Sequence, residues 1–550
     1  MGSALQKDRR QENTPFSLKR SLRGLMFRSP LYRLTLAKDS PAQLAIPPQD
    51  MWPSDAELGL AMQNGVFALA GQTMVCHEPE FAPEDSSRGW RAAMQRFAWL
   101  RDLRAAGGDQ ARRIARRWVA AWLNEFPEWH DEAWDPLSTG LRLRHWLQHH
   151  DFFCASADDT FRFAVYDSIA RQASHLARVV PGMLTGAELL GALEGLILTG
   201  LAIPGRVDYL QLGLRHYRRE LDMQILADGG HTSRSPGVLF TILMGMMSVR
   251  SAFASARQNV PDELSAAIER AALMIKLFRH GDGGLALFHH STEQMPVLLD
   301  AVLAQADARR NLKSANVSGY ERAAQGRSLL ILDAGQPALA PTSHAGTLAF
   351  EFSVGKDRLI TNCGCYRGTG PWRAALASTG AHSTLSVNDT NSSEFAAAQT
   401  SARRVRRRPN FVTVLREEST SSIRLESRHD GYRDNFGYLH TRILTLQDAG
   451  ETLVGEERLS GGAGRVNYAV RFHLHPGVQA SLTQDGHAIL LRLPSGTGWK
   501  FRFDGTAALA LEPSIYSADG SAQRRSVQFV LHGETMGPTQ ISWRLAREKK

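Results

Sequence analysis

The sequence predicts an α+β multidomain protein, in which a helical N-terminal half precedes an antiparallel β-sandwich. From about residue 54 to 305, apolar residues recur at steps of three and four, the period of amphipathic helices. After about residue 315 the period changes to two, as in antiparallel strands with one buried face. At 550 residues the chain also exceeds the usual size of a single core. These observations predict two structural domains.

The helical half has the pattern of successive helical hairpins. Apolar stripes run through MQRFAWLRDLRAAG and ARRIARRWVAAWLNEF, and breakers such as AAGGDQ and DGGHTSRSPG separate them. In the β half, segments such as GTLAFEFSVGKDRLITNCG alternate between apolar and polar residues, with Asp-Gly and Ser-Gly turns between them. Neither pattern holds in RRNLKSANVSGYE. We therefore predict a basic N-terminal tail (1–45), a helical domain (46–312) and a β domain (313–550).

Composition excludes several classes of protein. With 43% hydrophobic and 22% charged residues, and no apolar run that reaches the roughly 20 residues needed to cross a bilayer, the chain is not predicted to span a membrane. The four cysteines (Cys76, Cys154, Cys363, Cys365) form neither a disulfide framework nor paired CxxC motifs, which excludes a zinc ribbon. No secretory signal is recognised, so a cytoplasmic location is expected, with a periplasmic or peripheral membrane location as alternatives.

The charge balance predicts an acidic partner. A net charge of +9 and a pI near 9.5 suit an acidic polysaccharide, a membrane surface or nucleic acid, but charge alone does not choose among them. The densest basic run, RRVRRRPNF (403–411), either holds a polyanion or is a solvated face, and no motif predicts a specific nucleic acid partner.

The N-terminal tail offers a second basic feature. Leu22, Leu25, Met26 and Phe27 lie among Lys19, Arg20, Arg23 and Arg28, a spacing that would form a short basic amphipathic helix on an anionic membrane. The alternative is a solvated tail that packs on its own domain. Both interpretations are consistent with the sequence.

Several motifs together resemble the heparinase II/III-like polysaccharide lyase family. SHAGTLAFEFSVGKDRLITNCG and ASTGAHSTLSVND are similar to its β-domain signature, and HDGY and RFHLHP are similar to later strands. WPSDAELGLAMQNGVFALAGQ and DGGHTSRSPG resemble its helical domain, particularly in proteobacterial members. The resemblance extends over nearly all of the chain beyond residue 45. It implies an (α/α) toroid followed by a β-sandwich.

The resemblance also implies a chemistry, the β-elimination of uronate-containing polysaccharides such as glycosaminoglycans. This reaction needs a group that neutralises the uronate carboxylate, a base for the proton at carbon 5, and an acid for the leaving oxygen. Histidine, tyrosine, arginine and asparagine can supply all three roles, so no cofactor is required.

In the helical domain, the resemblance places the family's catalytic tyrosine near Val238, which cannot transfer a proton. His231 and Arg234 lie three residues apart in a turn bounded by glycine and proline, and would face one cleft if a helix begins there. We predict His231 as base or acid and Arg234 as the cation that binds the carboxylate. The alternative is that His231 caps a helix and Arg234 forms a structural salt bridge.

In the β domain, the family's first catalytic histidine corresponds to Thr342, whereas His344 is retained. The resemblance implies catalytic roles for His344 and His382 and a possible zinc or other divalent metal site formed by His344, Asn362 and His382. Asparagine is a weaker zinc ligand than a carboxylate, although Cys363 or Cys365 could supply an anionic ligand. The alternatives are that the histidines hold strands together and the cysteines are small core residues.

Further candidates lie in two polar segments of the β domain. Trp372 and Arg373 suit a sugar-stacking platform and a carboxylate clamp, although a core tryptophan beside a surface arginine fits equally. In HDGYRDNFGYLHTR, His429 and Arg433 are predicted to bind substrate and Tyr432 to replace the missing proton donor, or the segment is a polar loop.

One glycine cluster is not predicted to bind nucleotides. GDGGLALFHHSTE lacks the Gly-Lys-Ser/Thr ending of a phosphate-binding loop and a buried strand before it. It is predicted as a loop between helices, and the sequence leaves open whether its His289 and His290 face the cleft.

The sequence therefore favours a polysaccharide lyase that cleaves an acidic, uronate-containing glycan by β-elimination. The substituted tyrosine and histidine positions favour a second hypothesis, a non-catalytic protein that binds or assembles on acidic polysaccharide and retains the lyase cleft. The oligomeric state, the sugar and the cleavage mode are not predicted.

Overall fold

The fold is seen in a computed structural model that describes residues 24–36, 40–45, 48–368, 370–396, 405–462 and 464–548. The predicted amphipathic helix of the tail and the start of the basic run fall partly outside these ranges, at Lys19, Arg20, Leu22, Arg23, Arg403 and Arg404. The chain divides into two compact units, a first unit of Met1–Glu220 and Gly245–Pro261 and a second unit of Leu221–Met244 and Asp262–Lys550.

Helices dominate the chain as far as residue 305. The described α-helices are α1 Pro30–Thr35, α2 Ala56–Gln63, α3 Arg88–Arg96, α4 Leu100–Ala106, α5 Gly108–Glu125, α6 Pro136–Gln148, α7 His150–Phe153, α8 Asp159–Met183, α9 Gly186–Ala202, α10 Val207–Gln224, α11 Pro236–Ser255, α12 Asp262–Leu277, α13 Pro296–Gln305, α14 Pro371–Ala375 and α15 Arg433–Phe436. Aspartate or serine caps begin several of them, as at Asp55, Ser87 and Asp135.

The first unit has an aromatic core with close helix packing. Six tryptophans are almost completely buried in it: Trp90, Trp99, Trp118, Trp122, Trp134 and Trp146. Helices α6 and α9 approach each other at Gly140 and Gly195, where a side chain on either glycine would overlap the other helix. The buried Arg142 lies over the Trp122 ring at 4.1 Å and donates to Gln172, so its charge is held within the core by specific partners.

Helix α11 corrects one sequence prediction. Over 20 residues it is long and apolar enough to cross a bilayer, whereas the sequence analysis found no such run. However, 61% of its most apolar window is buried inside the protein. A core helix of a folded protein passes the same test of length and composition, so the helix is weak evidence for a membrane span.

Strands dominate the chain after residue 313, which confirms the mixed helix-and-sheet prediction. The strands are β1 Val66–Leu69, β2 Gln72–Val75, β3 Ser314–Ala315, β4 Tyr320–Gln325, β5 Ser328–Asp333, β6 Phe350–Val354, β7 Asp357–Thr361, β8 Leu385–Val387, β9 Glu394–Phe395, β10 Val405–Arg407, β11 Val412–Glu418, β12 Ser422–Tyr432, β13 Tyr438–Gln447, β14 Thr452–Gly461, β15 Val466–Leu474, β16 Gln479–Leu482, β17 Ala488–Arg492, β18 Gly498–Asp504, β19 Ala508–Tyr516, β20 Arg524–Thr535 and β21 Thr539–Arg547.

Two large antiparallel sheets make up most of the C-terminal part of the second unit. One has the strand order β11-β12-β13-β14-β21-β18-β17-β16, and the other has the order β19-β20-β15-β7-β6-β5-β4-β3, with β8 paired to β15. Side chains from both sheets share one hydrophobic core. For example, Phe350 of β6 stacks on Trp543 of β21 with ring centroids 6.1 Å apart. The two sheets therefore pack face to face as a β-sandwich.

Candidate functional site

The turn that carries His231 and Arg234 is anchored by Asp228. One carboxylate oxygen of Asp228 accepts from Gly230 N at 3.0 Å, and the other accepts from Val317 N and Ser318 N at 2.9 and 2.7 Å. Gly229 has a φ of 87°, and a side chain there would overlap the Arg270 carbonyl. The Asp-Gly-Gly sequence thus fixes this turn against the segment that precedes β4.

Both ring nitrogens of His231 are already hydrogen-bonded. Nδ1 lies 3.0 Å from Ser233 N and 2.7 Å from Ser233 Oγ, so it accepts, and Nε2 donates to Gln224 Oε1 at 2.9 Å. The side chain is buried, at 6% exposure, and burial lowers the pKa of His231 to about 4. At neutral pH the imidazole is therefore neutral, with its lone pair committed to Ser233 rather than open to a substrate proton.

Arg234 is buried and surrounded by acceptors. Nε donates to Ser318 O at 2.6 Å, Nη1 to Gly335 O at 3.1 Å and Nη2 to Gly319 O at 3.1 Å. Nη2 also forms an ion pair with Asp333, and the guanidinium lies 4.7 Å from the centroid of the buried Tyr320 ring. Little donor capacity is left for a substrate carboxylate.

The backbone of Arg234 is also held in place. Its φ of 58° lies in the left-handed region, which is unusual for a residue other than glycine. The Tyr320 hydroxyl donates to the Arg234 carbonyl at 2.6 Å and stabilises this conformation.

Asp333 and His289 complete the cluster. His344 N donates to His289 Nδ1 at 3.1 Å, so the His289 proton is on Nε2, which donates to Asp333 at 2.9 Å. Burial would raise the pKa of Asp333, but Arg234 and His289 lower it below its ordinary value. We define Arg234, Asp333, His289, His344 and His382 as the buried cluster, because these side chains lie within one hydrogen-bonded and ring-contact path.

His344 and His382 are brought together by the fold. His382 Nδ1 donates to Ser378 O at 2.7 Å, so its Nε2 accepts from His344 Nδ1 at 3.1 Å. Burial lowers the pKa of His382 to about 4. Gly346 makes room for this ring, since a Cβ at that position would lie 2.5 Å from His382 Cδ2. Both histidines are thus neighbours in the second unit and are almost completely buried.

The donors at this place do not form a complete zinc site. Two imidazole nitrogens 3.1 Å apart could occupy two corners of a tetrahedral shell, but no carboxylate or thiolate accompanies them. The Asn362 amide is used elsewhere, because Nδ2 donates to Glu351 at 3.1 Å and Oδ1 accepts from Ser383 N at 3.0 Å. Among the described residues, no group of three or more His, Cys, Asp or Glu side chains is arranged to hold a metal.

The cysteines do not supply the missing ligand. Cys363 Sγ lies 3.4 Å from His473 Nδ1 and 3.8 Å from Ser514 Oγ, so its hydrogen-bonding neighbours are not the two histidines of the buried cluster. Burial raises the pKa of Cys363 to about 12 and that of Cys365 to about 11. Both side chains are protonated thiols at neutral pH, and they pack as small core residues.

A surface pocket of about 460 Å³ lies beside this region and contains Trp372. The indole is 42% exposed on the short helix α14. Arg471, His473, Ser514 and Gln528 also line the pocket. We call this the Trp372 pocket. It combines an exposed aromatic face with polar side chains, a combination that suits the stacking of a sugar ring.

The cation of the Trp372 pocket is only loosely paired. Arg471 Nη1 donates to Ser386 Oγ at 2.6 Å, and its acidic neighbour Asp389 lies 3.5 Å away and is mostly exposed. Arg373 follows Trp372 on α14 and is half-buried, but it does not line this pocket. Arg471 lies in the described part of the chain, and the sequence analysis did not predict it as a binding cation.

His429 and Tyr432 lie inside the β-sandwich, which corrects their predicted roles. Tyr432 is 0% exposed, its hydroxyl donates to Leu385 O at 2.8 Å, and burial raises its pKa well above the ordinary value of a tyrosine. His429 Nδ1 accepts from Gly431 N, and Nε2 donates to His440 at 3.2 Å. Neither ring reaches solvent, so neither can contact a polysaccharide. Arg433, at the start of α15, is exposed.

Sequence reasoning missed Asp333 and left the role of His289 open. Asp333 ends the fully buried strand β5, SLLILD, where an acidic residue after five apolar or small residues is an available signal. Its partner Arg234 is 99 positions away in the chain, so no local pattern joins them.

Both halves of the chain match models of one protein family. A match described as Heparinase II/III N-terminus extends over residues 78–317, and one described as Heparinase II/III-like, C-terminal, extends over residues 307–544. The chain belongs to the heparinase II/III-like family. The chain is also 32% identical over 546 residues to FtsZ-localized protein C from Caulobacter vibrioides, covering 95% of this chain and 93% of that protein.

Solved structures of heparinase II/III-like proteins and related lyases share the fold. A heparinase III structure has a TM-score of 0.70 at 14% identity, covering 85% of this chain and 79% of that one. A heparan sulfate lyase from Pedobacter heparinus has a TM-score of 0.63 at 16% identity, covering 90% and 83%. A chondroitin AC lyase from Streptomyces coelicolor has a TM-score of 0.54 at 12% identity, covering 90% and 79%. At these identities the similarity concerns the fold alone.

Proposed function

We propose that this protein is a non-catalytic member of the heparinase II/III-like family that works as an assembly protein together with FtsZ and binds acidic polysaccharide through the Trp372 pocket. The observation that carries the non-catalytic part is the saturation of His231 and Arg234. An elimination site needs a free base and a free cation, and both of these side chains are buried and already bonded.

The two positions that the family resemblance assigns to catalytic residues support this proposal. They carry Val238 and Thr342, and neither side chain can act as a base at neutral pH. Tyr432, which could have replaced the proton donor, is enclosed in the sandwich core. His344 and His382 bond to each other, so they contribute to the interior of the β domain rather than to an open cleft.

The assembly role rests on the relative from Caulobacter vibrioides. Identity of 32% over 95% of the chain extends across both family domains. That protein is named for its localisation by FtsZ, and we propose the same partner here. The chain would then act in the compartment that holds FtsZ.

The Trp372 pocket supports the polysaccharide part of the proposal. Stacking of a sugar ring on the exposed indole and pairing of a uronate carboxylate with Arg471 would use groups that the fold leaves open. The net charge of +9 would attract the same polymer over a longer range. Binding of this kind requires no metal and no proton transfer.

The described part of the N-terminal segment supports a peripheral membrane contact as a further part of the role. Leu25, Met26, Leu31 and Leu34 are exposed, and Arg28 and Arg33 lie among them. Exposed leucines beside arginines suit an anionic membrane surface. Sedimentation of the protein with anionic vesicles, compared with neutral vesicles, tests this contact.

The first test is ultraviolet absorbance during incubation with a panel of uronate polysaccharides. Elimination creates an unsaturated uronate that absorbs, whereas binding does not. We expect no rise for the wild-type protein on any polymer and measurable binding to at least one of them. We expect Trp372→Ala to weaken that binding about tenfold, with Leu339→Ala, another exposed apolar residue, as the matched control.

The polysaccharide lyase remains the second candidate function, and family membership favours it. An absorbance rise that is lost in His231→Ala would establish the lyase and overturn the non-catalytic proposal.

The FtsZ part has its own test, in which a fluorescent fusion is imaged in cells with and without FtsZ. A distribution that does not change on FtsZ depletion would contradict the assembly role.

A further inference from the structure

Buried polar atoms without hydrogen-bond partners are concentrated near the end of helix α6 in the first unit. Among the described residues they include Arg144 Nε, His145 Nδ1, both amide atoms of Gln148 and His149 Nδ1. Folded proteins leave few such atoms unsatisfied, because each one costs free energy. Several of them close together indicate that another polar species belongs there.

A cavity of about 290 Å³ lies beside one of these residues, His149. Its lining residues are Asp50, Trp52, Ser54, Arg101, Arg104, Ala105 and His149. The lining is mostly polar and includes both donors and acceptors. The volume corresponds to roughly ten water molecules at about 30 Å³ each, which is enough for a compact small molecule.

The acidic residue of the cavity is already neutralised. Asp50 accepts from Arg101 Nε at 2.5 Å, and its carboxylate lies 3.3 Å from His149 Nε2. Burial would raise the pKa of Asp50, but His149 and Arg101 lower it well below its ordinary range. Asp50 is thus an anion whose charge Arg101 balances.

Arg104 supplies a positive charge that this pair does not balance. It lies one helical turn after Arg101 on α4, is exposed, and forms no ion pair with a described residue. Burial lowers the pKa of His149, so its imidazole is neutral at neutral pH and carries a buried nitrogen without a partner. The cavity therefore has one surplus positive charge and a neutral hydrogen-bonding group at its wall.

We propose that this cavity binds a small molecule carrying a single oxyanion, a carboxylate or a phosphate, with Arg104 and Arg101 contacting the oxyanion and His149 bonding a neutral polar group. Arginine suits both oxyanions because its fork of donors matches their geometry. The surplus of one positive charge suits one anionic group on the ligand. This site lies in the first unit and is independent of the Trp372 pocket, which belongs to the second.

The test uses the full chain and two probes, inorganic phosphate and glucuronate, in calorimetric titration and thermal unfolding. Arg104→Gln is the test variant, since its exposed side chain has no structural partner to lose. Arg113→Gln is the control, because Arg113 is also exposed in the first unit but does not line the cavity. The two probes distinguish phosphate ligands from carboxylate ligands.

We expect at least one probe to bind the wild-type protein and to raise its unfolding temperature. Arg104→Gln should weaken that binding about tenfold or more, because a charge-assisted hydrogen bond is lost, and should leave the ligand-free unfolding temperature unchanged. Arg113→Gln should bind like the wild type. Absence of binding by both probes, or equal binding by the wild type and Arg104→Gln, would overturn the proposal and leave the cavity to water. The elimination assay and FtsZ imaging give their results independently of this outcome.

Discussion

The buried cluster and the Trp372 pocket both lie in the second unit, yet they differ in what they leave open. In the cluster, Arg234 and Asp333 bond to each other and to fixed neighbours inside the protein. In the pocket, Trp372 is exposed and Arg471 is only loosely paired. Residues of the types used in catalysis therefore become structural when their hydrogen-bonding capacity is used up inside the fold.

The largest expected effect is a loss of stability when the buried ion pair is broken. Arg234→Met leaves the Asp333 carboxylate buried without its principal cation, and Asp333→Asn does the reverse. We expect each to lower the free energy of unfolding by about 3 to 5 kcal/mol, because an uncompensated buried charge remains. Denaturant unfolding of the purified variants measures this.

Trp372→Ala is the matched comparison for the ion-pair variants. Its side chain is partly exposed and forms no buried ion pair, so the free energy of unfolding should change by less than about 1 kcal/mol. The contrast between cluster and pocket would fail if Arg234→Met folded with normal stability and lost polysaccharide binding. Arg234 would then be a ligand-binding residue, as the sequence analysis predicted.

Lowering the pH is expected to reduce the free energy of unfolding by a smaller amount. The pKa values of His231 and His382 are about 4 in the folded protein, compared with about 6.5 when unfolded. Below pH 6.5 the unfolded chain therefore binds protons at these histidines that the folded chain does not bind. The free energy of unfolding thus falls as the pH falls from 6.5 towards 4. Each histidine should lower the free energy of unfolding by about 2 kcal/mol between pH 7 and pH 5.

Unfolding measured at pH 7 and pH 5 tests this dependence. His231→Gln removes one titrating group but can still bond to Gln224, so its stability should fall less steeply over the same range. An equal slope in the variant and the wild type would show that His231 is solvated and titrates normally. That result would contradict the interpretation that both ring nitrogens of His231 are hydrogen-bonded inside the protein, and would again favour a role in proton transfer.

The sequence was sufficient to predict a helical part followed by antiparallel sheets, and insufficient to predict how the side chains of the site are bonded. The change in apolar period from 3.6 to 2 near residue 313 reports burial of one face of each element, which is a local property. The pairing of Arg234 with Asp333 joins positions 99 residues apart, and no periodicity records it. The solvent exposure of a side chain is equally hard to predict from local sequence, since nothing in WRAALASTGAH distinguishes an exposed Trp372 from a core tryptophan.

Motif comparison located the histidines but not their chemistry. His344 and His382 were singled out from motifs 38 residues apart, and the fold places them in direct hydrogen-bond contact. Whether a histidine is a base, a ligand or a bonded core residue depends on its partners. Those partners include main-chain atoms, such as the Ser378 carbonyl, whose positions a sequence motif does not report.

The smallest expected effect concerns zinc. His344 and His382 provide two nitrogens, but the Asn362 amide bonds to Glu351 and Ser383, and no thiolate or carboxylate from the described residues completes the shell. Two ligands hold zinc much more weakly than the three or four of ordinary protein sites.

We expect purified protein to contain well below one equivalent of zinc by elemental analysis and its unfolding temperature to be unchanged by a chelator. His344→Asn should match the wild type in metal content. One equivalent of zinc that is lost in both His344→Asn and His382→Asn would show instead that metal binding rearranges the Asn362 amide, and the buried cluster would then be a metal centre rather than a hydrogen-bonded core.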